Sequence, residues 1–164
     1  MSETFTVTLQ SLPQSVDEMT ALPEAALTEP QYAAALFLAA ACRFPTDRDA
    51  AYAMIDWLRG PRPMTPMEKQ FIRDRFMDVD YIPRSYFKGA VPANTYTPEQ
   101  PYTVTFETNP YSYAQEGYVK LFCRSGGADS PRDIVLRKQG STGKYFLWEQ
   151  HLLVGIRPAD DPWA

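Results

Sequence analysis

The chain has 164 residues, of which 45% are hydrophobic and 22% are charged. This size and composition predict one globular domain spanning residues 1–164 and exclude a largely disordered protein. The net charge of −4 argues against binding to nucleic acid or to anionic membranes through overall charge. The first residues lack the basic and apolar regions of a signal peptide, so we expect a cytoplasmic protein that does not engage a membrane.

The N-terminal part of the chain predicts one strand followed by a helical layer. Residues 4–9 alternate between threonine and an apolar residue, which is typical of a half-buried strand. Residues 15–77 contain four helix starts with a capping-box pattern, in which a hydroxyl residue precedes an acid or amide by three positions. These pairs are Ser15 and Glu18, Thr28 and Gln31, Thr46 and Asp49, and Thr65 and Glu68. The second helix, about residues 29–43, is apolar on most sides, which predicts a central buried helix.

The C-terminal part predicts a sheet reached through a wrapping loop. Residues 80–101 have no hydrophobic period but are rich in proline and aromatic residues, so we expect this loop to be held by its own side chains. Four strands joined by turns follow, at about residues 102–108, 117–124, 133–138 and 144–150, within a sheet region of about 102–157. The fold class is therefore α+β, with three to four helices packed on a mostly antiparallel, curved sheet that also includes residues 4–9.

One polar loop, residues 125–132, is the first candidate binding site. Its consecutive flexible residues could turn their amides inward to hold an anion, and neighbouring arginines would add positive charge. The candidate binding residues are Ser125, Gly126, Gly127, Asp129, Ser130 and Arg132 of the loop, with Arg124 and Arg137 on the adjoining strands. The alternative is an ordinary connection between strands, in which Gly127 takes a positive φ that a β-branched residue would not tolerate.

The charge of the chain is uneven, which suggests a second kind of site. Residues 1–45 are mainly acidic, whereas residues 117–157 carry more bases than acids. The predicted sheet therefore has a basic face that also bears several aromatic side chains. One interpretation is a solvated surface, and the other is a docking face for an acidic protein partner or a small anionic ligand.

No catalytic signature emerges from the remaining residues. His151 is the only histidine, and Cys42 and Cys123 do not have the spacing of metal ligands. We therefore predict no catalytic residue, no metal site and no cofactor. Pairs of carboxylates such as Glu107 with Glu116, or Asp129 with Glu149, are not diagnostic of a site without geometry. The oligomeric state is left open.

Several segments resemble a family of uncharacterised bacterial proteins of Firmicutes type, often from the gut, which form a domain of unknown function. The resemblance is carried by Tyr111–Tyr113, Glu116–Tyr118, Lys120–Phe122, Ser125–Arg132, Leu136–Arg137 and Phe146–Gln150, and it extends to Ala53–Asp56, Tyr81–Phe87 and Asp161–Ala164. It covers most of the chain and implies no catalytic residue. The order of helices and sheet is also similar to cone-shaped NTF2-like domains, an analogy at the level of the fold.

Three functions are compatible with these features. The first is a non-enzymatic cytoplasmic interaction or ligand-binding module. The second is an NTF2-like small-molecule-binding domain or enzyme, which a deep pocket with a buried carboxylate or with His151 inside it would favour. The third is a nucleic-acid-associated factor, which the acidic composition makes the least favoured.

Overall fold

The computed structural model describes residues 2–163, so Met1 and Ala164 of the predicted domain lie outside the described residues. Over that range the chain forms helices packed on an antiparallel sheet, which confirms the predicted α+β class. The α-helices are α1 (Val16–Thr20), α2 (Pro30–Cys42), α3 (Arg48–Arg59) and α4 (Pro66–Arg75). The strands are β1 (Thr4–Leu9), β2 (Tyr102–Glu107), β3 (Tyr118–Cys123), β4 (Arg132–Lys138) and β5 (Tyr145–Gln150).

The sheet is an open meander in which each strand pairs antiparallel with the next, in the order β1-β2-β3-β4-β5. Strand β1 pairs with β2 along its whole length, from Thr4 opposite Glu107 to Leu9 opposite Tyr102, although the entire helical layer separates them in sequence. Strands β1 and β5 are therefore the two edges of the sheet.

Helix α2 lies at the centre of the molecule, as its all-round apolar sequence predicted. Residues 33–41 of this helix are fully buried. Each strand sends alternate side chains toward this helical layer, which is the pattern of a sheet with one packed face. The buried strand residues include Val7, Val104, Leu121, Leu136 and Leu147. The opposite face, which we call the outer face, carries the threonines of β1 and the polar and aromatic side chains of β3 and β4.

Two of the four predicted helix starts are confirmed. At the start of α4, the Thr65 hydroxyl accepts a hydrogen bond from the Glu68 amide at 3.2 Å, and the Glu68 carboxylate accepts one from the Thr65 amide at 3.0 Å. This is the complete capping box. At the start of α1, Ser15 caps the Glu18 amide at 3.2 Å, while the Glu18 carboxylate reaches back to the amide of Gln14.

The other two predicted helix starts are each wrong by one residue. Helix α2 begins at Pro30, whose fixed φ suits the first helical position, so Thr28 lies outside the helix and does not cap it. Helix α3 is capped by Asp47 rather than Thr46, because the Asp47 carboxylate accepts a hydrogen bond from the Ala50 amide at 3.1 Å.

Residues 80–101 connect the helices to the sheet and are anchored by aromatic side chains. Tyr86, Phe87 and Tyr96 are all buried, and Tyr96 is fully inaccessible to solvent. The Tyr96 ring stacks on Tyr81 with 5.0 Å between centroids, and its hydroxyl donates to the carbonyl of Arg157. The segment is therefore fixed to the body at several points.

Both cysteines are free thiols, and burial raises their pKa values. For Cys42 burial outweighs the opposing charge of Arg84 and raises the pKa from 9.0 to about 12. The thiolate then forms in the unfolded chain at lower pH than in the folded protein, so stability is lost as pH rises above 9. We expect Cys42→Ala to reduce the loss of stability between pH of about 9 and about 10.5 by roughly 1.5 kcal/mol, which urea unfolding at both pH values measures.

Candidate binding site

Trp148 lies at an irregularity in the edge strand β5. Val135 pairs with Glu149 while its neighbour Leu136 pairs with Leu147, so Trp148 is the extra residue of a β-bulge. A bulge bends its strand and redirects the side chain. The indole ring of Trp148 packs edge-on against Tyr118, with 5.4 Å between ring centroids.

Two arginines lie over the Trp148 ring. The guanidinium carbon of Arg62 is 3.8 Å from the ring centroid, and that of Arg137 is 4.7 Å from it. Arg62 also donates a hydrogen bond to the Trp148 carbonyl at 3.1 Å, and Arg137 lies 5.3 Å from the centroid of Tyr118. Cation–π contacts of this kind hold arginine side chains extended while leaving most of their donors in solvent.

The end of helix α3 brings Arg62 to this place. Gly60 caps the C-terminal end of α3 with a φ of 61° and a ψ of −120°, a conformation that glycine adopts far more readily than other residues. A Cβ at Gly60 would lie only 2.6 Å from Cδ1 of Phe146, so glycine is required by both conformation and contact. The chain then turns through Pro61 along the edge of β5 and places Arg62 on Trp148.

These residues border a groove of about 350 Å³, which we call the Trp148 groove. Its floor is mainly apolar and its rim is basic, and none of the described residues that line it is an aspartate or glutamate. The lining residues are Arg59, Pro61, Arg62, Arg137, Lys138, Gln139, Gly140, Phe146, Leu147 and Trp148. The volume is at the lower end of the range for small-molecule sites.

Three of the four cations in the groove form no ion pair with any acidic side chain of residues 2–163. Arg59 is buried and lies 2.8 Å from the carboxylate of Glu68, which compensates its charge. Burial lowers the pKa of Arg59 despite this neighbour. Within residues 2–163, Arg62, Arg137 and Lys138 form no ion pair. The rim of the groove therefore carries uncompensated positive charge.

The predicted loop, residues 125–132, has its amides engaged inside the protein. The Ser125 hydroxyl lies 2.7 Å from that of Ser85 and accepts a hydrogen bond from the Gly127 amide at 3.0 Å. The Gly126 amide donates to the Ser85 carbonyl at 2.9 Å. The two glycine amides that an anion site would use are thus already bonded to the protein.

The expected reason for Gly127 is wrong. Neither Gly126 nor Gly127 is among the residues with positive φ. Both are needed for close approach instead, because a Cβ at Gly126 would overlap the Ala90 carbonyl oxygen and one at Gly127 would overlap the Tyr96 hydroxyl. The loop is packed directly on the segment of residues 80–101.

Arg132 ties this loop to the C-terminal segment. Its Nε donates to the carbonyl of Val154 at 3.0 Å, and its Nη2 donates to that of Gly155 at 3.1 Å. Its Nη1 bonds both the carbonyl and the hydroxyl of Ser130, at 2.8 and 2.9 Å. Asp129, which is exposed, pairs with Arg157 at 3.1 Å.

The structure places the predicted site residues in three locations. Arg137 joins the Trp148 groove, whereas Ser125, Gly126, Gly127, Asp129, Ser130 and Arg132 remain together in the loop. Arg124 directly follows Cys123, the last residue of β3, and forms an ion pair with Glu107 at 3.2 Å. It therefore lies at the other end of β3 from Tyr118. Binding by the loop stays a prediction. Sequence reasoning missed Arg62, Lys138 and Trp148 as members of one site.

The features that would favour an enzyme are not met by the described residues. His151 is exposed at the end of β5, with its Nδ1 2.9 Å from the carboxylate of Asp133. Among residues 2–163 no aspartate or glutamate is buried, and no group of three or more potential metal ligands occurs.

The fold thus defines an α+β domain with an open five-stranded antiparallel sheet and a basic, aromatic groove at one edge. The chain belongs to the family described as Domain of unknown function (DUF6935), which matches residues 11–160. This confirms the resemblance to a family without an assigned activity. No curated protein and no solved structure matches the chain. None of the described helices is long and apolar enough to cross a membrane.

Proposed function

We propose that this protein is a non-enzymatic binding module that docks an acidic segment of a partner protein in the Trp148 groove. The observation that carries the proposal is the pair Arg62 and Arg137 on one tryptophan, with Lys138 in the same groove and no carboxylate among the described lining residues. Because the whole protein has a net charge of −4, this basic area contrasts with the rest of the molecule. Such local complementarity steers an acidic partner and fixes its orientation.

A protein segment is favoured over a small anion because the binding surface continues beyond the groove. On its other side, Trp148 borders a second depression of about 270 Å³, whose lining includes Tyr111, Tyr118 and Lys120 and one acidic residue, Glu149. Tyr111 is 74% exposed, which is high for an aromatic residue. Tryptophan, tyrosine and arginine are the residue types that dominate the energetics of protein interfaces. The two depressions together offer an elongated surface with Trp148 at its centre.

A cytoplasmic location forms part of the same proposal. Cys42 and Cys123 are both free, and the cytoplasm keeps thiols reduced.

Removing one arginine from the groove is expected to weaken binding selectively. The probe is a fluorescent peptide of alternating glutamate and aspartate with a central tyrosine, titrated by fluorescence polarisation. We expect Arg137→Ala to weaken binding about tenfold, because it removes a cation and its contact with Trp148. The matched control is Arg124→Ala, which removes the same charge at the far end of β3 and should change affinity less than about twofold.

Three other outcomes would contradict the proposal. Equal losses in the two variants would show that the peptide responds to net charge alone. Binding of inorganic phosphate with displacement of the peptide would show a small-anion site. Tighter binding of a short oligothymidine than of the peptide would favour a nucleic-acid-associated factor, since bases also stack on exposed aromatic residues.

A further inference from the structure

The two edges of the sheet differ in how they are protected. Strand β5 carries the bulge at Trp148, its Tyr145 amide donates to the Leu27 carbonyl at 2.9 Å, and Arg62 covers the Trp148 carbonyl. Strand β1 has none of these features. Its six residues, Thr4–Leu9, pair with β2 without a bulge and include no charged residue and no proline. An edge of this type is open to pairing with another strand.

The hydrogen-bond pattern shows which backbone groups of β1 are free. The Thr108 amide donates to the Glu3 carbonyl at 2.9 Å, which makes Glu3 and Thr108 a hydrogen-bonded pair. Hydrogen-bonded and non-hydrogen-bonded pairs alternate along an antiparallel ladder. The N–H and C=O groups of Phe5, Val7 and Leu9 therefore also point toward β2 and form hydrogen bonds with it.

The backbone groups of Thr4, Thr6 and Thr8 therefore point away from the sheet. The side-chain distances support this assignment. The hydroxyls of Thr6 and Thr105 lie 3.2 Å apart, and side chains are closer in non-hydrogen-bonded pairs than in hydrogen-bonded ones. In the part of the chain that the structure describes, no loop or helix supplies a hydrogen bond to these outward groups.

We propose that β1 pairs antiparallel with β1 of a second copy of this chain, joining two sheets into one across a two-fold axis at Thr6. In this register Thr6 faces Thr6 of the second copy, and Thr4 faces its Thr8. All the outward backbone groups of the strand are then satisfied at once. Phe5 is half-buried and comes to lie beside Val7 of the second copy, so pairing also removes apolar surface from water.

A second copy fits this edge better than an unrelated segment does. The alternation of threonine with apolar residues is the same when it is read in either direction around Thr6, so the strand is complementary to itself in side chain and backbone. The strand is also uncharged, so two copies do not repel each other there. The Trp148 groove lies at the opposite edge and stays free in such a dimer.

A lysine at the two-fold axis should prevent the pairing. We expect light scattering after gel filtration to give twice the chain mass of 18.6 kDa for the unmodified protein and a single mass for Thr6→Lys. The matched control is Thr105→Lys, which breaks the same threonine contact and adds the same charge to the outer face, but on β2. This variant should remain dimeric.

Hydrogen exchange tests the geometry without any substitution. The amides of Thr4, Thr6 and Thr8 should exchange more slowly as protein concentration rises, while those of the β5 edge should not change. A protein that is monomeric at all concentrations overturns the inference. A dimer that persists in Thr6→Lys, with no concentration dependence at these amides, overturns it as well.

Discussion

Gly126→Ala is expected to destabilise the protein by about 3 kcal/mol, lowering Tm by about 10 °C. The added methyl group would overlap the carbonyl oxygen of Ala90, which is backbone and cannot rotate away. The Ala90 segment is itself fixed, since its amide donates to the Phe87 carbonyl at 3.2 Å, and the Gly126 amide is fixed by Ser85. Thermal unfolding followed by circular dichroism measures the effect.

The control for this substitution is Gly140→Ala in the turn between β4 and β5. No atom of the described residues lies within 4 Å of a Cβ at Gly140, and this glycine does not have a positive φ. The variant should therefore stay within about 0.5 kcal/mol of the unmodified protein. Equal stabilities for the two variants would contradict the close packing of the loop on residues 80–101.

Arg132→Ala is expected to cost about 2 kcal/mol, because it removes charge-assisted hydrogen bonds to the carbonyls of Val154, Gly155 and Ser130. These bonds hold the loop and the C-terminal segment together. The free energy of unfolding in urea measures the loss. Arg124→Ala is the control, because its single exposed ion pair with Glu107 should contribute less than about 1 kcal/mol.

This comparison also separates two roles for the loop. If Arg132 is mainly structural, its removal lowers stability in the free protein and leaves the affinity for an acidic peptide unchanged. If the loop is instead the partner surface, Arg132→Ala should behave like Arg124→Ala in unfolding and weaken peptide binding. This second result, unchanged stability with weaker peptide binding, would show that the binding site is the loop of residues 125–132 and not the Trp148 groove.

Much of the fold could be predicted because its signals are local. The alternation in residues 4–9 and in the C-terminal strands depends only on neighbours in sequence, and so does the capping box at Thr65 and Glu68. The two wrong helix starts also have a local cause. Pro30 and Asp47 are better residues for their positions than the hydroxyl residues that matched the pattern.

The site could be predicted only in part, because it depends on contacts between distant residues. Arg62 and Trp148 are 86 residues apart and meet only when the end of α3 follows the edge of β5. The bulge that redirects Trp148 is a shift of register, which side-chain alternation does not reveal. Likewise, the need for glycine at 126 and 127 comes from Ala90 and Tyr96, and nothing near the loop in sequence indicates it.

A titration followed by heteronuclear NMR tests the central claim most directly. The chain has three tryptophans, each of which gives one indole N–H signal. On addition of the acidic peptide, we expect the indole of Trp148 and the amides of Arg62, Arg137 and Lys138 to shift together, while those of residues 125–132 do not. Shifts centred on residues 125–132, with the Trp148 indole unchanged, would contradict binding in the Trp148 groove.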